Sequence, residues 1–232
     1  MTLTESQLTG VDDSHIEYRD GLGLTPACWT AFTTLQQEAE NAGFDLQIAS
    51  AHRSFDRQRA IFNGKAAGER SVHDDDGAPV PIADLSTAAA LQAILRFSAL
   101  PGTSRHHWGT DLDVYDAAAM PAGYRVQLTP EEVADSGLFG PFHCWLDQRI
   151  ASGSAQGFYR PYDVYRGGVS PERWHLSYAP EADVCQGLLS DSVVRRVLSQ
   201  PGVLQPEAMA QAVLEQLPQL LTRYVRAVAS AE

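Results

Sequence analysis

Ser104-Arg105-His106-His107-Trp108-Gly109-Thr110-Asp111-Leu112-Asp113 sets two imidazoles and two carboxylates within ten residues, directly after the helix stop Pro101-Gly102. Gly109 lets the chain reverse, and the alternation of Asp111 and Asp113 with Leu112 and Val114 has the period of a short strand over 111–115. Side chains two apart on a strand share a face, so both aspartates point one way while Leu112 and Val114 point to the core. Two carboxylates facing one way are costly unless a cation sits between them. A catalytic zinc site takes three His or carboxylate ligands at about 2.0 to 2.2 Å and leaves a fourth position for water. His106 before the turn and Asp113 after it can supply two of the three. Taken alone, the cluster fits equally a pair of loop histidines followed by aspartates that solubilise a strand end.

A second cluster, Glu172-Arg173-Trp174-His175, puts a carboxylate three residues before an imidazole, beside a buriable aromatic. His175 is a candidate third ligand. Glu172 is a candidate general base for water whose pKa a metal has lowered. The thiols do not compete for this role, because Cys28, Cys144 and Cys185 are widely separated and odd in number. They suit neither a disulfide framework nor a four-thiolate zinc knuckle. Cys144 follows His143, but neighbours on a helix point about 100° apart, which is poor geometry for proton transfer.

With both clusters in view, the chain resembles the zinc D-alanyl-D-alanine carboxypeptidases and dipeptidases of the VanY and VanX type. These share a superfamily with lysostaphin-type peptidases and the hedgehog signalling domain. The pattern SxHxxGxxxD is matched by Ser104, His106, Gly109 and Asp113, and ExxH by Glu172 and His175. Two more segments match in order: Ser50-Ala51-His52-Arg53-Ser54 with Gln58 looks like SxxRS…Q, and Gly157-Phe158-Tyr159-Arg160 looks like the strand before ExWH. The resemblance covers roughly Leu24 to Tyr178.

It implies zinc as the cofactor, with His106, Asp113 and His175 as ligands and Glu172 as the catalytic base. It implies that Arg53 lies near the metal and holds the substrate or the charge developing on the scissile oxygen, a role suited to a fixed guanidinium. The other reading of Arg53 is a structural salt bridge at a strand end. Ser104 matches a substrate-contacting serine and is equally a turn or cap residue. Gln58 and Asp111 complete the candidate substrate contacts. Asp111 departs from the commonest pattern, in which many relatives carry a small residue such as alanine; a carboxylate there can orient a ligand or attract a substrate amine. His52, His107 and His143 are read as non-ligands, His15 and His73 as solvated, and Trp108 and Trp174 as packing around the site.

The 232 residues, 44% of them hydrophobic, support one sizeable core and are few for two domains. Thr25-Pro26 opens a helix carrying Trp29, Phe32 and Leu35 toward Gly43, and Phe44, Leu46 and Ile48 alternate as a strand. Ser54 caps a helix to about Asn63-Gly64. Residues 65–81 read as a solvated loop with the acidic run Asp74-Asp75-Asp76, a rim or lid. Residues 84–100 read as a helix capped by Ser86 or Asp84, 130–151 as one or two helices broken near Gly137 and Gly140, and 157–165 and 173–178 as strands. This irregular alternation predicts an α+β fold, and the resemblance implies a small antiparallel sheet carrying the site, flanked by helices. The expected organisation is an arm at 1–24 with at most a short strand near 15–18, a peptidase-like domain at 25–180, and a helical extension at 181–232. The extension's apolar stripe docks on the domain or, in the other reading, mediates oligomerisation; the oligomeric state is left open.

Seventeen Lys and Arg against 29 Asp and Glu leave a net charge of −12, which repels nucleic acid and anionic membrane. No apolar run has the length of a membrane span, and MTLTESQLTG lacks the basic start and apolar run of a secretory signal. A cytoplasmic location is expected, or a periplasmic or exported one if a leader was removed. The resemblance implies hydrolysis of a peptide bond next to a D-amino acid in a peptidoglycan stem peptide or muropeptide, of the carboxypeptidase type. The alternatives are an L,D-carboxypeptidase, a D-Ala-D-Ala dipeptidase, a cell-wall endopeptidase of the same fold, and a non-catalytic zinc-binding module, against which Glu172 speaks.

Overall fold

Asp20-Gly21, both at positive φ (50° and 81°), form the two-residue turn of a hairpin between β1 (Glu17–Arg19) and β2 (Leu22–Leu24). Asp-Gly is a strong signal for such a turn, and it outweighs the weak alternation near His15. A short helix, α1 (Glu5–Leu8), precedes the hairpin, so the arm holds more structure than the single strand expected near 15–18. The computed structural model describes residues 3–231; Met1, Thr2 and Glu232, the ends of the arm and of the extension, lie outside it.

Capping residues set the next boundaries. Thr25 accepts the Cys28 N–H and opens α2 (Pro26–Asn41), whose Cys28, Trp29, Phe32, Leu35 and Ala39 are buried. After β3 (Leu46–Ser50), Ser54 accepts the Arg57 N–H and opens α3 (Phe55–Ala66), and Ser86 accepts the Ala89 N–H to open α4 (Thr87–Leu95). The helix expected to reach residue 100 ends at Leu95, and the chain beyond it brings the Ala99 carbonyl to the Gln58 amide at 2.7 Å. The α3 helix runs past Gly64 to Ala66, and the Arg70 side chain packs 3.1 Å from where a Gly64 Cβ would stand.

β4 (Asp111–Asp116), α5 (Pro130–Val133), α6 (Gly140–Ala151), β5 (Phe158–Tyr159) and β6 (His175–Tyr178) complete the matched region, and the four longer-range strands pair antiparallel in the order β3-β4-β6-β5. The strand expected over 157–165 is only two residues long, because Pro161 has no N–H to extend the ladder. The strand expected from Arg173 starts at His175, since Glu172 and His175 close a turn (N–H to O=C, 3.0 Å) before pairing begins. Leu46, Leu112, Val114, Phe158 and Leu176 bury one face of the sheet against α2 and α6. The C-terminal helices α7 (Ala179–Leu188), α8 (Asp191–Leu198) and α9 (Glu207–Leu221) form a second core with α3 and α4. There Val194, Val213 and Leu217 meet Phe62, Ile94 and Trp108. Each such aliphatic side chain contributes about 1.5–3 kcal/mol on burial. Among the described residues no helix is long and apolar enough to cross a membrane.

His143 on α6 links this packing to pH. It is fully buried, its Nδ1 accepts from Arg160 at 3.3 Å, and its Nε2 has no partner among the described residues. Burial first, then the Arg160 and Arg173 guanidiniums, push its pKa down to about 2. The unfolded chain therefore takes this proton below an ordinary histidine pKa of about 6.5 while the folded chain does not, and stability falls as pH drops through that value. Between pH 7 and 5 the wild type is expected to lose about 2 kcal/mol more than a His143→Leu variant. Denaturant melts of both at the two pH values check this, and equal losses would refute it.

Candidate active site

Strand register builds the site. Asp113 on β4 stands opposite His175 on β6 and opposite Ser50 on β3, where a bulge follows Ile48. Opposed residues of antiparallel strands share a face, so Asp113 and His175 meet on the face away from the Leu112 core. His106 arrives from a single 3-10 turn, Arg105–Trp108, that ends at Gly109 with φ +70°. A Cβ at Gly109 would stand 2.3 Å from Ile16 Cδ1 and 3.2 Å from Thr25 N, so conformation and space both require glycine.

Hydrogen bonds then fix which atoms face inward. His106 donates Nδ1–H to the Ala51 carbonyl (3.0 Å), leaving Nε2 on the side of Asp113 Oδ2 at 3.5 Å. His175 directs Nε2 to Asp111 Oδ1 at 3.0 Å and Nδ1 to Asp113 Oδ1 at 3.1 Å and Glu172 Oε2 at 3.6 Å. One donor atom from each of His106, Asp113 and His175 lies within 4.8 Å of the other two, and all three residues are buried. Two imidazole nitrogens and a carboxylate oxygen, each imidazole anchored through its other nitrogen, fit a catalytic zinc site.

The charges around these atoms are strongly coupled. Burial pushes His106 down to about 3, leaving its Nε2 unprotonated. Burial also acts to lower His175, but its bonds to Asp111 and Asp113 outweigh that and raise it to about 10. Against burial, His106, His175 and Arg53 hold Asp113 below the usual carboxylate range. Burial pushes Glu172 up to about 7, the direction of a group poised to exchange a proton.

Arg53, Ser104, His106, Asp113, Glu172 and His175 line one cavity of about 430 Å³, within the size range of small-ligand pockets. Ser104 makes no side-chain capping bond to the turn that follows it, so its hydroxyl belongs to the cavity wall. Part of the loop expected as a rim, including Val72, His73 and Asp74, borders the same cavity. Sequence motifs do not mark several polar wall residues, among them Lys65, Tyr162 and Tyr224. Lys65 stands at the end of α3, Tyr162 packs edge-on to the His175 ring at 5.0 Å, and Tyr224 comes from the C-terminal region. No motif flags them, since each reaches the wall through long-range packing.

Two candidate substrate contacts are corrected. Gln58 is fully buried, with its carboxamide committed to Arg53 Nη1–H (2.9 Å) and the Ala99 carbonyl (2.7 Å), so it positions Arg53 from behind. Asp111 is also fully buried, on the far side of His175 and paired with Arg105 Nε at 2.7 Å, out of reach of a substrate amine. His15, expected in solvent, has both ring nitrogens buried without partners among the described residues. His107 is structural: Nδ1–H donates to the Arg53 carbonyl at 2.6 Å and Nε2 accepts the Gly102 N–H at 3.1 Å. A larger cleft of about 1310 Å³ opens elsewhere, but its Arg160 and Arg173 are paired with Asp147 and it holds none of the candidate ligands.

The family model for VanY, D-alanyl-D-alanine carboxypeptidase, matches residues 21–181. The chain belongs to the VanY family. It is therefore an enzyme of the carboxypeptidase type, on the α+β fold described above. An uncharacterized protein of Haemophilus influenzae is 42% identical over 105 residues, covering 43% of this chain and 72% of that one. A second from the same organism is 27% identical over 128 residues, covering 54% and 92%. Among solved structures, VanYB in complex with D-alanine-D-alanine shares the fold, with a TM-score of 0.52 and 21% identity over 82% of this chain and 91% of that one. The VanY match stops within α7, so α8 and α9 lie beyond it.

Proposed function

We propose that this VanY-family enzyme holds one zinc ion through His106 Nε2, Asp113 and His175 Nδ1 and removes the terminal D-alanine from peptidoglycan stem peptides ending in D-alanyl-D-alanine. The observation that carries this reading is the convergence of Arg53, His106, Asp113, Glu172 and His175, from separate segments, on one cavity with three donor atoms within 4.8 Å. Zinc, when bound, polarises a scissile carbonyl and lowers the pKa of water.

The chain's own groups do the rest. Glu172 Oε2, 3.6 Å from His175 Nδ1, stands beside the donor atoms, where it takes the proton of the attacking water and delivers it to the leaving amine nitrogen. Arg53 is held by Gln58 (2.9 Å) and its guanidinium is bordered by Asp113 and Glu172, a preorganised donor for the oxyanion or the substrate's terminal carboxylate. Lys65 adds a second positive charge on the same cavity. Two cations there favour a peptide with a free C-terminus, which supports exopeptidase action over internal cleavage.

Mass spectrometry of zinc-loaded protein with a stem pentapeptide ending in D-alanyl-D-alanine tests the reading. The expected products are the tetrapeptide and one free D-alanine. The same peptide amidated at its C-terminus is expected to react at least about tenfold more slowly, the effect of losing about 1.4 kcal/mol of charge-assisted binding in the transition state. Internal cleavage, release of a dipeptide, turnover of the tetrapeptide alone, or no product would overturn it.

A further inference from the structure

We propose that Asp111 is the positioning carboxylate of the metal site, fixing the tautomer and orientation of His175, and that Arg105, itself held by Gln186 of the C-terminal helix α7, keeps Asp111 in place. The inference rests on the reading of His175 as a metal ligand. Asp111 Oδ1 faces His175 Nε2 at 3.0 Å and receives the Arg105 Nε–H at 2.7 Å, while Oδ2 accepts the Thr110 hydroxyl at 2.6 Å. Arg105 spends its other donors on Gln186 Oε1 (2.8 Å), Ser177 Oγ (2.7 Å) and the Tyr159 hydroxyl (3.0 Å), and its guanidinium carbon lies 4.8 Å from the centre of the Trp108 ring. Gln186 sits on α7, beyond the matched residues 21–181, and its amide reaches the Val225 carbonyl at 3.3 Å. A continuous set of bonds therefore runs from the C-terminal segment to the back of the His175 ring.

The arrangement has one chemical consequence at the ring. With Nε2–H donated to Asp111, the other nitrogen, Nδ1, is the one left to face Asp113 and Glu172. A carboxylate behind a ligating imidazole sets its tautomer, restricts its rotation and increases its basicity. Asp111 does not itself compete for a cation, because it lies on the Nε2 side and its charge is matched by Arg105. Losing such a partner lowers metal affinity by about 10- to 100-fold.

Zinc affinity measured by chelator competition, together with the visible spectrum of the cobalt(II)-loaded protein, tests this without relying on turnover. Asp111→Asn keeps the shape and removes the charge; it is expected to bind zinc about 10- to 100-fold more weakly, with a shifted cobalt spectrum. Asp111→Ala combined with Arg105→Met leaves no unpaired buried charge and is expected to show the same weakening, so a folding failure of one single variant does not blunt the test. Gln186→Leu is expected to weaken zinc binding by a smaller factor, with the cobalt spectrum displaced in the same direction. If wild type binds zinc and the Asp111 variants bind it within threefold with an unchanged cobalt spectrum, the positioning role is overturned while the metal site stands. Failure of the wild type to bind zinc would instead overturn the metal reading itself.

Discussion

Glu172→Gln is expected to lower turnover of a stem pentapeptide by about 10²- to 10⁴-fold while leaving fold and zinc content unchanged. Glutamine keeps the size and the acceptor oxygen of glutamate but cannot take a proton at neutral pH, so the loss isolates proton transfer from packing. Glu172 is suited to this test because it lines the cavity beside His175 and is not one of the three grouped donor atoms. If the variant is also unable to bind zinc, or hydrolyses within tenfold of wild type, Glu172 is not the base. Single-turnover rates, with zinc content measured on the same samples, make the distinction.

Asp113→Ala is expected to have the other large effect and to act by a different route. Asp113 is the anion of the three grouped residues, with its carboxylate oxygens 3.5 Å from His106 Nε2 and 3.1 Å from His175 Nδ1. It also favours the charged form of Arg53 more than Glu172 does, against the burial that lowers the pKa of that guanidinium. Without it, the two imidazoles and the Arg53 guanidinium lose the carboxylate set among them, and Glu172 is left beside His175. Zinc content after dialysis is expected to fall from about one ion per chain to near zero, and hydrolysis by about 10³-fold or more, the scale of several kcal/mol of lost electrostatic stabilisation. Retention of zinc by a folded Asp113→Ala protein would remove Asp113 from the ligand set. Comparing the two variants separates the roles, since one loses chemistry with metal in place and the other loses the metal.

Much of the candidate site was legible because its residues sit in short motifs. His106 and Asp113 flank a turn that needs Gly109, and Glu172 and His175 are three apart, so local spacing reports them. Gln58 and Asp111 show where that legibility ends. Both lie in the motif segments, but burial and pairing place Gln58 behind Arg53 and Asp111 behind His175, and the direction of a side chain depends on neighbours that spacing does not name. Lys65 and Tyr224 show the opposite case, wall residues with no motif at all, brought in by the packing of α3 and of the chain beyond α9. Element ends followed the same division. Thr25, Ser54 and Ser86 cap helices through bonds to residues three ahead and were readable, whereas the ends of α4 and β5 depend on Gln58 and on Pro161.

By itself, the sequence determined the α+β class and singled out His106, Asp113 and His175 as candidate ligands and Glu172 as a candidate base, because caps, alternation and His-carboxylate spacing are local properties of the chain. Only the tertiary structure decided that Asp113 pairs in register with His175, that Asp111 faces the back of that ring, and that the C-terminal helices reach it through Gln186 and Arg105. The physical reason is that strand register and the direction of a buried charge are settled by which distant partners can satisfy it, and those partners are chosen by the packing of the whole chain.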